Sequence, residues 1–291
     1  MRLSSRQTRA IGFGALGVLS LAVLWEGYKL LGPAEGISIG ETVLLPRTTE
    51  LAMPHVWDSV ARAFQPASSA SDELVIVAVA QAAASTLGIA GVGMLLGAVV
   101  GVLLALLMQR FLLADRAVLP WLILSQTVPL IALAPLVVAW GGRLQLGPFE
   151  WERWMSVAVI ASYLAFFPVA IGTLRGLRSP EQAHLDLFRA QGAGWWKTLR
   201  YLRLPAAVPH LLAALRLGTA TAIIGTVVAE VSTGARGGIG RLIVEYAQSG
   251  SSDPAKAWAP IAGAVVLGLV AAGAVALAGL LLHNYRRAEA R

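Results

Sequence analysis

The side chains that most often catalyse reactions or bind metals are few in this chain, and they are scattered. It has no cysteine, and its four histidines, His55, His184, His210 and His283, lie on different predicted elements without the spacing of metal ligands. No pair of a nucleophile and a base stands out. No lysine follows a glycine, so the phosphate-binding loop G-x-x-x-x-G-K-[ST] is absent. We therefore predict no catalytic residue, no metal site and no cofactor held by this chain.

Several polar side chains lie inside long apolar segments of the chain. Polar side chains are costly in a membrane and often mark functional positions there. Because Ser and Thr can also bond to carbonyls of their own helix, a structural role is the alternative. The candidates for a translocation path are Gln126, Thr127, Tyr163, Thr221 and Glu230, with Ser125 and Thr226 beside them.

Composition indicates a membrane environment for the elements that carry these residues. Hydrophobic residues make up 57% of the 291 residues and charged residues 13%, whereas soluble domains have about 25% charged residues. The run 74–108 contains no charged side chain, and a spanning helix needs only about 20 apolar residues. The net charge of +7 does not indicate nucleic-acid binding, because the basic residues flank apolar segments. We predict one transmembrane domain over 1–291.

Hydropathy predicts an all-α, polytopic membrane protein with about six transmembrane helices. The predicted spans are 10–31, 84–108, 117–141, 154–174, 206–231 and 257–283. The first span is longer than the apolar core of a cleaved signal peptide, so we expect it to be retained. The third contains Pro120, Pro129 and Pro135, which indicate kinks, either at a pathway or at a packing bend. Residues 72–84 could form a separate helix along the membrane surface.

The distribution of basic residues predicts the orientation of these spans. With the N-terminus inside, 14 Lys and Arg residues lie on the inner side and 7 on the outer side. Both termini are therefore predicted to be cytoplasmic. The inner group includes Arg2, Arg6 and Arg9 at one end of the chain and Arg286, Arg287 and Arg291 at the other.

Three glycines spaced four apart, Gly93, Gly97 and Gly101, line one face of the second predicted span. Such a row lets another helix approach closely. It predicts a helix-packing face, which contacts either a second subunit or another helix of the same bundle.

The predicted cytoplasmic loop at 175–205 is the most informative segment. Ser179 is a suitable N-cap, Pro180 suits the first helical position, and Gln182 completes a capping box, so a helix is predicted from Pro180. Gly192 to Gly194 should end it, and a second short helix should run from Trp195 to about Leu202, closed by Pro205. Helix–glycine–helix fits either an amphipathic segment at the membrane surface or a knob that docks into a soluble partner.

The loop resembles the conserved cytoplasmic loop of binding-protein-dependent ABC permeases, whose pattern is E-A-A, three residues, G, nine residues, I-x-L-P. Asp186, Leu187 and Phe188 occupy the E-A-A positions, Gly192 the glycine, and 202–205 the last four. Segments 44–57, 125–142 and 229–243 are similar to stretches of the nitrate, sulfonate and taurine branch.

This resemblance implies the architecture of a type I importer permease of MetI-like fold in the bacterial inner membrane. It implies a dimer with a second permease copy, two ABC ATPase subunits that bind ATP and Mg, and an extracytoplasmic solute-binding protein. Residues implied to couple to the ATPase are Leu185, Asp186, Phe188, Arg189, Gly192 and Ala193. Residues expected on the outer side, where the binding protein would dock, are Arg47, Glu50, Arg236 and Arg241.

The implied substrate is a small polar or anionic solute, similar to nitrate, a sulfonate or taurine, or else a pyrimidine-like or hydantoin-like ring. The predicted spans contain few positive charges, chiefly Arg216, which favours a neutral solute. Two other classes are open from the residues alone, namely a stand-alone channel or secondary carrier, and a membrane scaffold. Neither class needs the loop at 175–205.

Overall fold

The computed structural model describes residues 5–39, 42–68, 71–146 and 148–281. The helices are α1 Ser5–Leu31, α2 Val56–Ala63, α3 Val75–Arg110, α4 Leu112–Ser125, α5 Leu130–Gly141, α6 Arg153–Leu177, α7 Gln182–Ala190, α8 Trp195–Thr198, α9 Leu204–Thr233, α10 Ile239–Gln248 and α11 Pro254–Leu281. Three antiparallel hairpins pair β1 Ile37–Ile39 with β2 Thr42–Leu45, β3 Pro66–Ser68 with β4 Ser71–Leu74, and β5 Gln145–Leu146 with β6 Phe149–Glu150.

Five of the described helices are long and apolar enough to cross a membrane, and a bent pair can be counted as a sixth span. They are α1, α3, α6, the continuous helix Trp195–Thr233 and α11, with α4 and α5 as the bent pair. The predicted all-α, polytopic architecture is confirmed. The arginines Arg2, Arg286, Arg287 and Arg291, together with His283 and the end of the span predicted at 257–283, lie outside the described residues.

The prediction of a separate surface helix at 72–84 is wrong. Ser71–Leu74 is a short strand, and α3 then runs without interruption for 36 residues from Val75. No proline interrupts it, so the helix simply continues past the membrane thickness. Its length of about 54 Å exceeds the roughly 30 Å hydrocarbon core.

The third predicted span, 117–141, is also not one helix. It is divided into α4 and α5, whose axes differ by 101°. Pro120 and Pro135 lie inside these helices, whereas Pro129 is the extended residue that precedes α5. Proline removes a backbone N–H and forces the preceding residue out of the helical region, which explains why the helix ends before it.

The described residues divide into two compact units, one within 1–79 and 243–262 and the other within 80–242 and 263–291. The assignment of a single domain therefore stays a prediction. In the first unit, the end of α1 is tied to the segment before α2. Glu26 accepts hydrogen bonds from the Val56 N–H and from His55 Nδ1, each at 2.7 Å, and Lys29 pairs with Glu50 at 2.9 Å.

A second cluster of the first unit joins α2 and α10 to the start of α11. Arg62 Nε lies 2.7 Å from Asp253 Oδ2, and Lys256 Nζ lies 4.2 Å from the ring centre of Tyr246. Burial raises the pKa of the Tyr246 hydroxyl above its ordinary value, and the negative charge of Glu73 adds to this effect.

In the second unit, the glycine row of α3 packs against α6 of the same chain. A methyl group at Gly93 would lie 2.5 Å from Ala161 Cβ, and one at Gly97 would lie 2.8 Å from Ala165 Cβ. The row therefore forms a contact inside the bundle, one of the two alternatives for it. α6 also packs extensively against α9.

Candidate coupling loop and translocation path

The helix α7 begins two residues later than the sequence predicts. Its N-cap is Glu181, and the Ser179 hydroxyl donates to the Gly176 carbonyl at 2.8 Å. The predicted capping box at Ser179 is therefore wrong. The Ser179 hydroxyl is used at the end of α6, and α7 begins without a side-chain cap.

The end of α7 has the geometry of a Schellman motif. Gly192 has a φ of +68°, its N–H donates to the Arg189 carbonyl at 2.9 Å, and the Ala193 N–H donates to the Phe188 carbonyl at 2.9 Å. Residues with a side chain rarely adopt this left-handed conformation. A methyl group at Gly192 would meet no atom within 4 Å, so the need for glycine comes from the backbone alone.

The exposed surface of α7 carries both polar and apolar side chains. Asp186 Oδ1 accepts from Arg189 Nη1 and from Gln182 Nε2, each at 2.9 Å, and all three side chains are exposed. Leu187 is 54% exposed, whereas Leu185 and Phe188 are half-buried. This exposed helix is about 14 Å long.

The segment after α7 differs from the prediction, because Pro205 does not end a helix. α8, a wide π-turn at Leu199–Arg203 and α9 form one continuous helix. The Leu204 N–H donates to the carbonyl of Leu199, five residues back. The wide turn accommodates the ring of Pro205, which would clash with the carbonyl four residues back in a regular helix.

Both ends of the loop are fastened to neighbouring helices. Arg178 pairs with Asp115 of α4 at 2.9 Å, and Trp195 Nε1 donates to Gln109 Oε1 of α3 at 3.1 Å. Arg203 Nη1 donates to the Leu177 carbonyl of α6 at 2.9 Å. The ends of the loop are therefore in contact with α3, α4 and α6.

Three of the predicted path residues lie together at the break between α4 and α5. Gln126 and Thr127 are exposed at the break itself. The Tyr163 hydroxyl, from α6, donates to the carbonyl of Ser125, the last residue of α4. Thr221 of α9 approaches the same region of α6, since its hydroxyl lies 3.2 Å from the Leu164 carbonyl.

Glu230 lies further along α9 and is 1% exposed. Its carboxylate accepts from the Thr86 hydroxyl at 2.9 Å and from the Gly240 N–H at 2.9 Å, and Thr86 accepts from the Ile239 N–H at 2.8 Å. This carboxylate fastens the start of α10 to α9 and α3. A role in the path stays a prediction for Glu230, and Thr86 is a partner that sequence reasoning missed.

The residues predicted to meet a binding protein differ in exposure. Arg47 and Arg236 are exposed, and Arg241 is half-buried beside Gly234. Glu50 is exposed but pairs with Lys29 and with His55 Nε2, the latter at 3.4 Å. Across 5–39, 42–68, 71–146 and 148–281, no group of three or more His, Asp or Glu residues could hold a metal ion.

Comparison with known proteins gives a sequence match over most of the chain. The sequence profile described as "Binding-protein-dependent transport system inner membrane component" matches residues 78–286. The chain is 34% identical over 209 residues to the formylaminopyrimidine transport permease protein ThiX of Halalkalibacterium halodurans, which covers 70% of this chain and 77% of that relative.

Two further relatives match over shorter stretches. The riboflavin transport system permease protein RibX of Chloroflexus aurantiacus is 34% identical over 129 residues, 44% of each chain. The putative aliphatic sulfonates transport permease protein SsuC of Bacillus subtilis is 31% identical over 159 residues, 55% of this chain and 54% of the relative. The chain therefore spans about half the length of these two relatives.

Proposed function

Because the chain belongs to the family of binding-protein-dependent transport system inner membrane components, we propose that α7 is the element through which a partner ATPase drives it. The chain is a multi-pass cell-membrane protein and the permease subunit of an ATP-driven importer for small solutes. The permease provides the passage, and ATP and Mg bind to the partner subunit.

The exposed α7, held between α6 and α9, is the observation that carries this proposal. Its end is fixed by the left-handed Gly192, and its flanks are tied to four helices that enter the bundle. A partner that moves α7 would therefore move these helices as well. Leu185, Asp186, Phe188, Arg189, Gly192 and Ala193 form the proposed contact with the ATPase.

The complete importer would contain a second copy of this chain, two ATPase subunits and an extracytoplasmic binding protein. Arg47, Glu50, Arg236 and Arg241 are the proposed contacts for the binding protein. α7 and both termini would face the cytoplasm, which agrees with the excess of Lys and Arg on that side.

The proposed path passes the break between α4 and α5, where Gln126 and Thr127 are exposed. An amide and a hydroxyl suit a solute that both donates and accepts hydrogen bonds. A neutral ring, such as a pyrimidine, fits these groups and the small number of charges in the spans. The name of the relative ThiX points to a pyrimidine, whereas the name of SsuC points to sulfonates.

Two glycines of the loop provide a matched test of coupling. Gly192→Ala forces alanine into the left-handed region, whereas Gly194 has an extended backbone at φ −69° that alanine adopts freely, and neither methyl group would touch a neighbour. Left-handed alanine costs about 1 kcal/mol. We expect Gly192→Ala to lower the ATP hydrolysis that loaded binding protein stimulates by about fivefold, and Gly194→Ala to leave it unchanged.

The assay uses the chain reconstituted in lipid nanodiscs with the P-loop ATPase that co-purifies with it. Equal activity in the two variants, whether high or low, would contradict the proposed role of the α7 end. Loss of ATPase binding in Gly192→Ala would also support the proposed role, because the α7 end would then be needed for the subunits to associate.

A further inference from the structure

The carbonyl of Ser125 has lost the donor that a continuous helix would give it. In an α-helix the N–H of residue 129 donates to the carbonyl of residue 125, and residue 129 is a proline without an N–H. The Val128 N–H lies 3.4 Å away, a long contact. A backbone carbonyl with only one long hydrogen bond is poorly satisfied in an apolar environment, so a second donor stabilises it.

Tyr163 supplies that donor from a different helix. Its hydroxyl, on α6, donates to the Ser125 carbonyl. The Ser125 hydroxyl is used elsewhere, donating to the Leu122 carbonyl at 2.7 Å. The phenol thus takes the place of the missing N–H, and it does so at the point where the axes of α4 and α5 diverge by 101°.

We propose that Tyr163 is a positioning residue for transport, which holds the span bent through the Ser125 carbonyl and so presents Gln126 and Thr127 at the break. This inference rests on the proposed function, since it assumes that the break lines the path. Tyr163 acts without touching the solute. The Tyr163 hydroxyl and a backbone N–H at residue 129 are alternative donors to the same carbonyl. Because residue 129 is a proline, only the hydroxyl is present.

This pairing makes two substitutions interdependent. Tyr163→Phe removes the donor and weakens the bent form. Pro129→Ala restores an N–H that donates to the Ser125 carbonyl in a straight span, so in this background the break is already closed and loss of the phenol has little further effect. The consequences of the two changes should therefore not add, which is the mark of groups that share one partner.

The experiment measures the exposure of the break directly and needs no identified solute. Because the chain has no native cysteine, Gln126→Cys gives a single thiol in the full-length protein in lipid nanodiscs. Its rate of reaction with a water-soluble sulfonated maleimide reports how open the break is. We expect Tyr163→Phe to slow this rate by about fivefold, the ratio that corresponds to one hydrogen bond of about 1 kcal/mol.

Tyr28→Phe is the matched control, since the Tyr28 hydroxyl also donates to a backbone carbonyl, that of Pro46 at 2.8 Å, within the first unit. It should leave the rate unchanged. In the Pro129→Ala background, Tyr163→Phe should change the rate by less than about twofold.

Three results would overturn the proposal. They are an unchanged rate in Tyr163→Phe, even if its melting temperature falls; an equal change in Tyr28→Phe; and the same fold-change in both Pro129 backgrounds. Failure of the importer function would appear instead as solute movement that is independent of ATP, with the labelling pattern intact.

Discussion

A buried carboxylate shows how single residues hold the second unit together. Glu230 and Thr86 are separated by 144 positions, yet the hydroxyl of one donates to the carboxylate of the other. A methyl group at Gly238 would lie 2.1 Å from the Glu230 carboxylate carbon, so this glycine is required by close approach. The sequence shows Glu230 as a polar group in an apolar span, but a single sequence contains no signal that pairs it with Thr86.

The first prediction concerns this carboxylate. Glu230→Ala leaves the buried Gly240 N–H without its acceptor, which should cost about 1–3 kcal/mol of folding free energy. Gly238→Ala should destabilise the wild-type protein through its clash, and much less the Glu230→Ala variant, where the carboxylate is gone. Thermal unfolding in detergent measures both effects, with the exposed Glu35→Ala as control. Additive effects of the two changes would contradict the contact.

At the scale of the elements, the sequence predicts which segments are helical more reliably than where they break. Pro120, Pro129, Pro135 and Pro205 look alike in an apolar sequence. Only Pro129 separates two helices, while the π-turn before Pro205 keeps a helix continuous. Nothing local in the sequence distinguishes them, and the donor to the Ser125 carbonyl at the break is Tyr163, 38 residues away. The end of α7 at Gly192 was predictable because glycine is required locally.

The second prediction tests the α3–α6 contact. Gly97→Leu places a side chain where the Ala165 Cβ would be 2.8 Å from the first added carbon. Overpacking of this kind costs about 1–3 kcal/mol. Gly91→Leu is the control, because it lies on the same helix with open space around it. We expect a lower melting temperature for Gly97→Leu only. A variant that keeps its melting temperature but loses dimerisation would place the glycine row between subunits instead.

At the scale of the whole molecule, the membrane spans and the family follow from composition and from the loop pattern. The family profile covers residues 78–286, so α1 and the hairpins before α3 lie outside it. The orientation of the chain depends on charge counts alone, and several of the counted arginines lie outside the described residues.

The third prediction concerns this orientation. In a chain without other cysteines, Arg189→Cys on α7 should resist a membrane-impermeant maleimide in intact cells, and Glu35→Cys after α1 should react. Permeabilised cells should label at both positions. Reaction of Arg189→Cys in intact cells would place α7 outside the cell and would separate it from any cytoplasmic ATPase.

This permease is expected to move a solute only when an ATPase drives it. The direct test is solute accumulation in proteoliposomes that contain the chain and its co-purified ATPase, with loaded binding protein outside. Riboflavin, an alkylsulfonate and an aminopyrimidine serve as test solutes. We predict that at least one accumulates against its gradient, and only with ATP present on the side of α7. Equal movement in liposomes that lack the ATPase would contradict the account and would identify a stand-alone channel or carrier.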